Sequence, residues 1–360
     1  VFAQEAAVDQ RLQEAIKLYQ DDKVSEALAK VEGLYKEAPN NADVAQWLGF
    51  LYLRAERPND AVSPLEKALS MMPENVEILN NLGAAYLRLN QTDKALKVYS
   101  DAVRIKPDYF DAWYNIGNIR RENGQIDQAI EAYDKAIKLR PDDPFTLNNY
   151  GTALTAKGNY QRAVEMFAKA SQLRPQRAMF AMNAGLAHVR LGQYQQAIPY
   201  LENANRLEPN NIDTVAGLAQ SYLATNQLDK ARSILDIAVQ KMPNEPLLWY
   251  NLGVLQGREG KREDAIRSYQ KALEIDSQDV DALNNLGLEQ YALGRFGDAE
   301  LTFTKLVGLA PGSVDAKLNL AAAQVKADIL HHLPTLERLG EMSRAQAVAT
   351  VDVDRDVSRQ

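Results

Sequence analysis

Asparagine recurs at Asn81, Asn115, Asn149, Asn183, Asn251, Asn285 and Asn319, with successive gaps of 34 residues, doubled once between Asn183 and Asn251. An amide side chain carries two N–H donors and one carbonyl acceptor, the complement of a peptide backbone. If the intervening segments stack on one another, these seven amides form a ladder able to hold the main chain of an extended polypeptide whatever its side chains. The alternative is that duplication copied one ancestral asparagine whose amide bonds only a neighbouring helix. Gly217 interrupts the series, and Trp47 and Gln13 occupy the equivalent places at the start.

Other polar residues keep the same step. Starting each segment three residues after a recurrent proline puts the asparagines at position six. Tyr114 and Tyr250 then fall at position five, with Asn80, Asn148 and Asn284 at the same place in other segments. Arg54, Arg88, Arg190 and Arg258 recur at thirteen, with Arg121 at twelve. Their guanidinium groups suit either the carboxylates of a partner or ion pairs within the array. Position two is acidic in Asp43, Glu77, Asp111, Asp213, Asp281 and Asp315. Such carboxylates could select basic ligand side chains. They would also compensate the positive end of a helix, worth about 0.3–1 kcal/mol each.

Catalytic and metal chemistry find little support. The histidines are His188, His331 and His332. His188 falls at a packing position, and adjacent residues on a helix point apart, so His331 and His332 do not share a face. Asp352-Val353-Asp354-Arg355-Asp356 opens like a calcium loop, but Val357 stands where the turn glycine is required and no closing glutamate follows. There is no cysteine, no Gly-Lys-Ser/Thr phosphate loop, and no nucleophile with a recognisable base. No enzyme activity, cofactor or metal is expected.

These residues must be positioned by a repeated unit. Proline recurs at Pro39, Pro73, Pro107, Pro141, Pro175, Pro209, Pro243 and Pro311, always at multiples of 34 residues, with Ser277 at the one missing beat. Nine full segments start at Val8, Ala42, Val76, Phe110, Pro144, Ala178, Ile212, Pro246 and Val280, and half a segment follows from Val314. A period of this length signals a solenoid of stacked units. Position eight is Gly49, Gly83, Gly117, Gly151, Gly185, Gly253 and Gly287, with Ala15 and Ala219 in the other two. Position twenty is alanine in all nine segments, Ala27 to Ala299, and four residues on comes a large residue such as Tyr99, Tyr133, Phe167, Tyr269 or Phe303. The pattern predicts two antiparallel helices per segment, crossing closely at the small residues. A helical glycine costs about 1 kcal/mol relative to alanine, so tight packing must return more than that. Gly124, Gly158, Gly192, Gly260 and Gly294, with Asn90 and Asn226, mark the turn between the helices. Pro64 and Pro199 are expected within the first turn of their second helices, where no N–H is missed.

Trp113-Tyr114-Asn115-Ile116-Gly117 followed by Ala129, Tyr133 and Pro141 resembles the tetratricopeptide repeat (TPR), as does Trp249-Tyr250-Asn251-Leu252-Gly253 with Ala265 and Tyr269. The resemblance covers Val8 to about Ala327. It implies an all-α, right-handed TPR superhelical solenoid of antiparallel helix pairs, its first helices lining a concave groove through positions two, five, six, nine, twelve and thirteen. The asparagine row is similar to the ladder in the superhelix of O-linked N-acetylglucosamine transferases. Family members that clamp a C-terminal carboxylate use Lys and Arg at two and six and Asn at nine, whereas here position two is mainly acidic, position six is mainly asparagine, and neither is ever basic. The expected function is a non-enzymatic protein-interaction scaffold holding an extended peptide or partner helix. The alternatives are a substrate-recognition arm of a larger glycosyltransferase and a self-associating spacer.

The ends differ from the middle. Residues 1–7 precede the first segment, Pro334 is expected to interrupt the last helix, 335–349 to form a capping helix, and 350–360 a disordered tail. The net charge of −7, with no basic block, argues against nucleic acid, and no apolar run is long enough to span a bilayer. Val1-Phe2-Ala3 suits a signal-peptidase site before Gln4, which predicts export to a bacterial periplasm, with the cytoplasm as the alternative.

Overall fold

A computed structural model describes residues 2–339, and every regular element among them is an α-helix. In chain order these are α1 (Phe2–Gln20), α2 (Val24–Glu37), α3 (Ala42–Arg54), α4 (Pro58–Met71), α5 (Val76–Arg88), α6 (Thr92–Ile105), α7 (Phe110–Glu122), α8 (Ile126–Leu139), α9 (Pro144–Ala156), α10 (Tyr160–Leu173), α11 (Ala178–Arg190), α12 (Tyr194–Leu207), α13 (Ile212–Ala224), α14 (Leu228–Lys241), α15 (Pro246–Arg258), α16 (Arg262–Ile275), α17 (Val280–Ala292), α18 (Phe296–Leu309) and α19 (Val314–Leu339). They form two compact units, Val1–Leu191 and Gly192–Gln360. In the first, α1 to α10 pack as five successive pairs and α11 lies on α10. In the second, α12 lies on α13, the pairs α13/α14, α15/α16 and α17/α18 follow, and α19 lies on α18.

The start of each first helix has a chemical cause that the segment numbering conceals. Asn41, Asn75, Asp143, Asn211 and Asp279, one residue before their segments, turn side-chain oxygens onto the first free N–H groups, as in Asn41 Oδ1 accepting from Val44 N at 3.0 Å. The turn into each second helix is left-handed. Asp22 and Glu56 adopt φ of 63° and 59° there, alongside Asn90, Asn226 and the expected glycines. Asp22 tolerates that region, but Glu56 has no special affinity for it and holds it because the flanking helices impose it.

The close crossing is explicit. A Cβ on Gly83 would lie 2.5 Å from the Tyr99 ring, and one on Gly151 would lie 2.7 Å from Phe167. All five aromatic residues at position twenty-four face a glycine in this way. Ala15 and Ala219, the two exceptions at position eight, belong to segments with the aliphatic Val31 and Leu235 at twenty-four. Alanines at twenty are fully buried, and around them lie Ile78, Leu82, Tyr99 and Ile119 in the first unit and Leu283, Phe303 and Leu306 in the second.

Two expectations are corrected. Pro64 is the seventh residue of α4 and Pro199 the sixth of α12, so both lie past the first turn and each deletes an N–H that would have bonded the carbonyl four residues earlier. Both helices continue through them. α19 also runs on as one helix to Leu339 rather than breaking at Pro334, so it includes the beginning of the expected 335–349 cap. α1 begins at Phe2, making most of residues 1–7 continuous with the first helix. The rest of the expected cap and the 350–360 tail lie outside the described residues.

Tyrosine hydroxyls tie neighbouring pairs together. Tyr52 donates to Glu32 at 3.0 Å, Tyr86 to Glu66 at 2.7 Å, and Tyr222 to Glu202 at 2.7 Å. Burial, then the Glu66 bond, pushes the Tyr86 phenol up to about 12. Burial is also the largest cause holding Tyr109 and Tyr133 up at about 12.

Gly83→Ala is expected to destabilise by about 1–2 kcal/mol in denaturant unfolding despite its gain in helix propensity, because its Cβ would meet the Tyr99 ring. The unfolded chain releases tyrosine protons near pH 10, before the folded one does. The stability they contribute is therefore complete below about pH 10 and lost as pH rises toward about 12. Thermal melts from pH 9 to 12, followed with tyrosinate absorbance, should show melting temperature and ionisation moving together.

Candidate functional site

The predicted polar residues share one face of the first helices, and packing within each unit decides what their amides are free to do. In the first unit, Asn149 Nδ2 on α9 donates to Tyr114 Oη at 3.3 Å and to Asn118 Oδ1 at 2.9 Å, both on α7. Asn183 Nδ2 on α11 donates to Asn148 Oδ1 on α9 at 2.8 Å. In the second unit, Asn285 Nδ2 reaches Tyr250 Oη at 3.2 Å, and Asn319 Nδ2 reaches Asn284 Oδ1 at 3.2 Å. Four of these five bonds follow one rule: the position-six amide donates to the position-five acceptor of the preceding segment, while the bond to Asn118 goes to position nine. The half-buried ladder is therefore partly engaged in bonds between neighbouring first helices.

The engagement is incomplete. The amides of Asn81 and Asn115 make no side-chain hydrogen bond to protein among the described residues and are half-buried. Asn80 Oδ1, the position-five acceptor that would serve Asn115, is buried without a partner. Asn251 is buried at 6% exposure, and its predecessor at position five is Ala216, which has no acceptor to give. Asn183, Asn285 and Asn319 give their N–H groups to the bonds above, while their carbonyl oxygens accept nothing among the described residues.

A polar network surrounds Asn149. Asn118 Oδ1 also accepts from Tyr133 Oη at 2.7 Å, and Asn148 Nδ2 donates to Asn149 Oδ1 at 3.4 Å. Arg121 pairs with Glu122 at 3.3 Å, and its Nε is buried without a partner. Asn118 was not among the residues singled out from the sequence, although its place at position nine of the same helix could have suggested it.

The arginines at thirteen divide. Arg88 Nη1 donates to Leu53 O and Arg258 Nη1 to Leu223 O, each on the last turn of the preceding first helix. These two serve as C-terminal caps rather than as partners for ligand carboxylates or as ion pairs. Arg54 and Arg190 are exposed. Trp113 and Trp249 anchor the connecting loops, their Nε1 donating at 2.8 Å to Pro107 O and Pro243 O. His188 is buried on α11. No group of three or more His, Cys, Asp or Glu suited to a metal ion occurs among the described residues, nor is any described helix long and apolar enough to cross a membrane.

Models described as tetratricopeptide repeat match residues 53–119 and 188–252, 110–143, 149–212 and 132–165, and a TPR repeat model matches 257–294. The chain belongs to the tetratricopeptide-repeat family. TPR chains are protein-interaction scaffolds, and binding another protein is the function the repeats indicate. Among curated proteins, it is similar to the peroxisomal targeting signal receptor of Kluyveromyces lactis, 29% identical over 83 residues that make up 23% of this chain and 15% of that one. The same receptor in Candida albicans is 29% identical over 87 residues, 24% of this chain and 15% of that one. The match thus spans about a seventh of the length of these relatives. A solved structure from work on Pseudomonas aeruginosa pilF aligns with TM-score 0.54 and 19% identity, covering 61% of this chain and 99% of that one, a likeness of fold.

Because Asn149 is bonded and Asn115 is not, their alanine variants should separate. Asn149→Ala is expected to cost about 1–2 kcal/mol in denaturant unfolding, and Asn115→Ala to stay within about 0.5 kcal/mol of the parent.

Proposed function

We propose that the first-helix face of this scaffold holds an extended segment of a partner protein, with the main chain of that segment set against the amides at position six. The observation that supports this most directly is the residual capacity of the ladder. In the first unit Asn81 and Asn115 keep both donors and acceptor, and Asn183 keeps its carbonyl oxygen. In the second unit, Asn285 and Asn319 do the same with their carbonyls. Amide carbonyls without a protein donor suit the N–H groups of an extended chain, and Tyr114 in the first unit and Tyr250 in the second add flat apolar area. Main-chain recognition of this kind admits many side chains, which fits a general scaffold.

Export to the periplasm is our reading of Val1-Phe2-Ala3, and fractionation of cells expressing the natural gene tests it. The groove reading is tested by crosslinking and mass spectrometry in the native cell, comparing the parent with Asn81→Ala/Asn115→Ala, which removes unbonded amides and should leave the melting temperature unchanged. A fall of about tenfold in captured partner is expected. Unchanged capture by a folded variant would show that the amide row does not meet the partner. A triple variant, with Asn115, Asn149 and Asn183 changed to Ala, extends the test along the first unit.

A further inference from the structure

The first unit carries a change of character along position two of its first helices that the amide ladder does not explain. Asp43 on α3 and Glu77 on α5 are exposed, and Asp111 on α7 is half-buried. The next two first helices place Phe145 and Met179 at the same position, exposed at 42% and 44%. This phenylalanine and methionine stand part-exposed on successive first helices, at the N-terminal ends of α9 and α11, where interior packing is carried by Leu147 and Phe180. Phe145 makes an edge contact with the buried Phe180 ring, centroids 5.6 Å apart, which leaves its outer part open to solvent.

We infer that the first unit binds a polypeptide segment whose basic residues meet Asp43, Glu77 and Asp111 and whose apolar residues meet Phe145 and Met179. The inference rests on the groove reading above and adds the chemistry of the ligand. Charge complementarity sets the first half. The molecule already shows the arrangement that a ligand arginine would reproduce. Arg140 lies 4.1 Å over the Phe110 ring and 3.4 Å from Asp111, and Arg177 lies 5.8 Å from the Phe145 ring centre. The Arg140–Asp111 pair is solvent-exposed, so an incoming cation can exchange with it. The arginine row at thirteen does not cancel the acidic row. It lies about 16 Å further along the same helices, roughly twice the screening length at physiological salt, and Arg88 is committed to Leu53 O.

Geometry sets the register. In the first unit α3 meets α5, and α9 meets α7 and α11. Neighbouring helices typically lie about 8–10 Å apart, and an extended chain rises about 3.3 Å per residue. One segment of the array therefore matches about three ligand residues. The expected ligand pattern is three basic residues at intervals of about three, followed at the same interval by two large apolar residues, with the chain direction left open.

The test uses the full chain and synthetic peptides of about fifteen residues, labelled for fluorescence anisotropy. One carries arginine at three successive third positions and leucine at the next two, with glycine and serine between. A second carries the reversed order, and a third has the same composition with arginine and leucine interleaved out of register. One of the first two should bind at least about tenfold tighter than the interleaved peptide. Phe145→Ser/Met179→Ser should weaken that binding about tenfold, and Asp43→Asn/Asp111→Asn should remove most of its salt dependence. All four side chains are at the surface, and circular dichroism checks that the variants fold. If both ordered peptides bind no better than the interleaved one, or neither double variant has an effect, the proposed ligand chemistry is wrong. If all three peptides bind alike and Asn81→Ala/Asn115→Ala abolishes binding, the groove reading stands and only this inference fails. If no peptide responds to any of the three double variants, the groove reading fails with it.

Discussion

Everything in this fold depends on how closely two helices can pass where glycine meets an aromatic ring. Gly83 against Tyr99, Gly117 against Tyr133 and Gly253 against Tyr269 leave no room for a methyl group. The absent side chain lets the ring occupy the space a Cβ would fill, and the alanines at position twenty are fully buried. That distance fixes where the first helices lie, and with them the spacing of every amide, carboxylate and apolar tip on their shared face. The glycine penalty in helix propensity is small beside the ring burial it permits.

The fold was legible because this constraint repeats. Small residues at eight and twenty, a large one at twenty-four and turn formers at fifteen can be read along the chain without coordinates. The failures were local. Pro64 and Pro199 were placed too early in their helices because the proline signal marks neither end of the second helix sharply. The caps at Asn41, Asn75, Asp143, Asn211 and Asp279 escaped because they close one segment while serving the next. The division after Leu191 carries no sequence mark, since Gly192 is one turn glycine among five.

The candidate site was legible in composition but not in commitment. The row of asparagines was evident. Its bonding was not, because whether Asn149 meets Tyr114 depends on packing between residues 35 apart in sequence. The same limit applied to Arg88 and Arg258, whose partners are main-chain carbonyls with no sequence signature. Stability and recognition here draw on the same amides. Each asparagine that ties two segments together has fewer groups left for a ligand, and those that tie nothing are the better candidates for recognition.

The six-to-five bond also has a direction. Its donor always lies in the later segment and its acceptor in the earlier one, so the row behaves like a chain of hooks and eyes. α13 offers neither part, with Ala216 at five and Gly217 at six, and α19 has the hook of Asn319 but shows Leu318 where the next eye would be. Any further module joined after α19 would meet an oily side chain in place of an acceptor. The polar thread of six-to-five bonds would stop there.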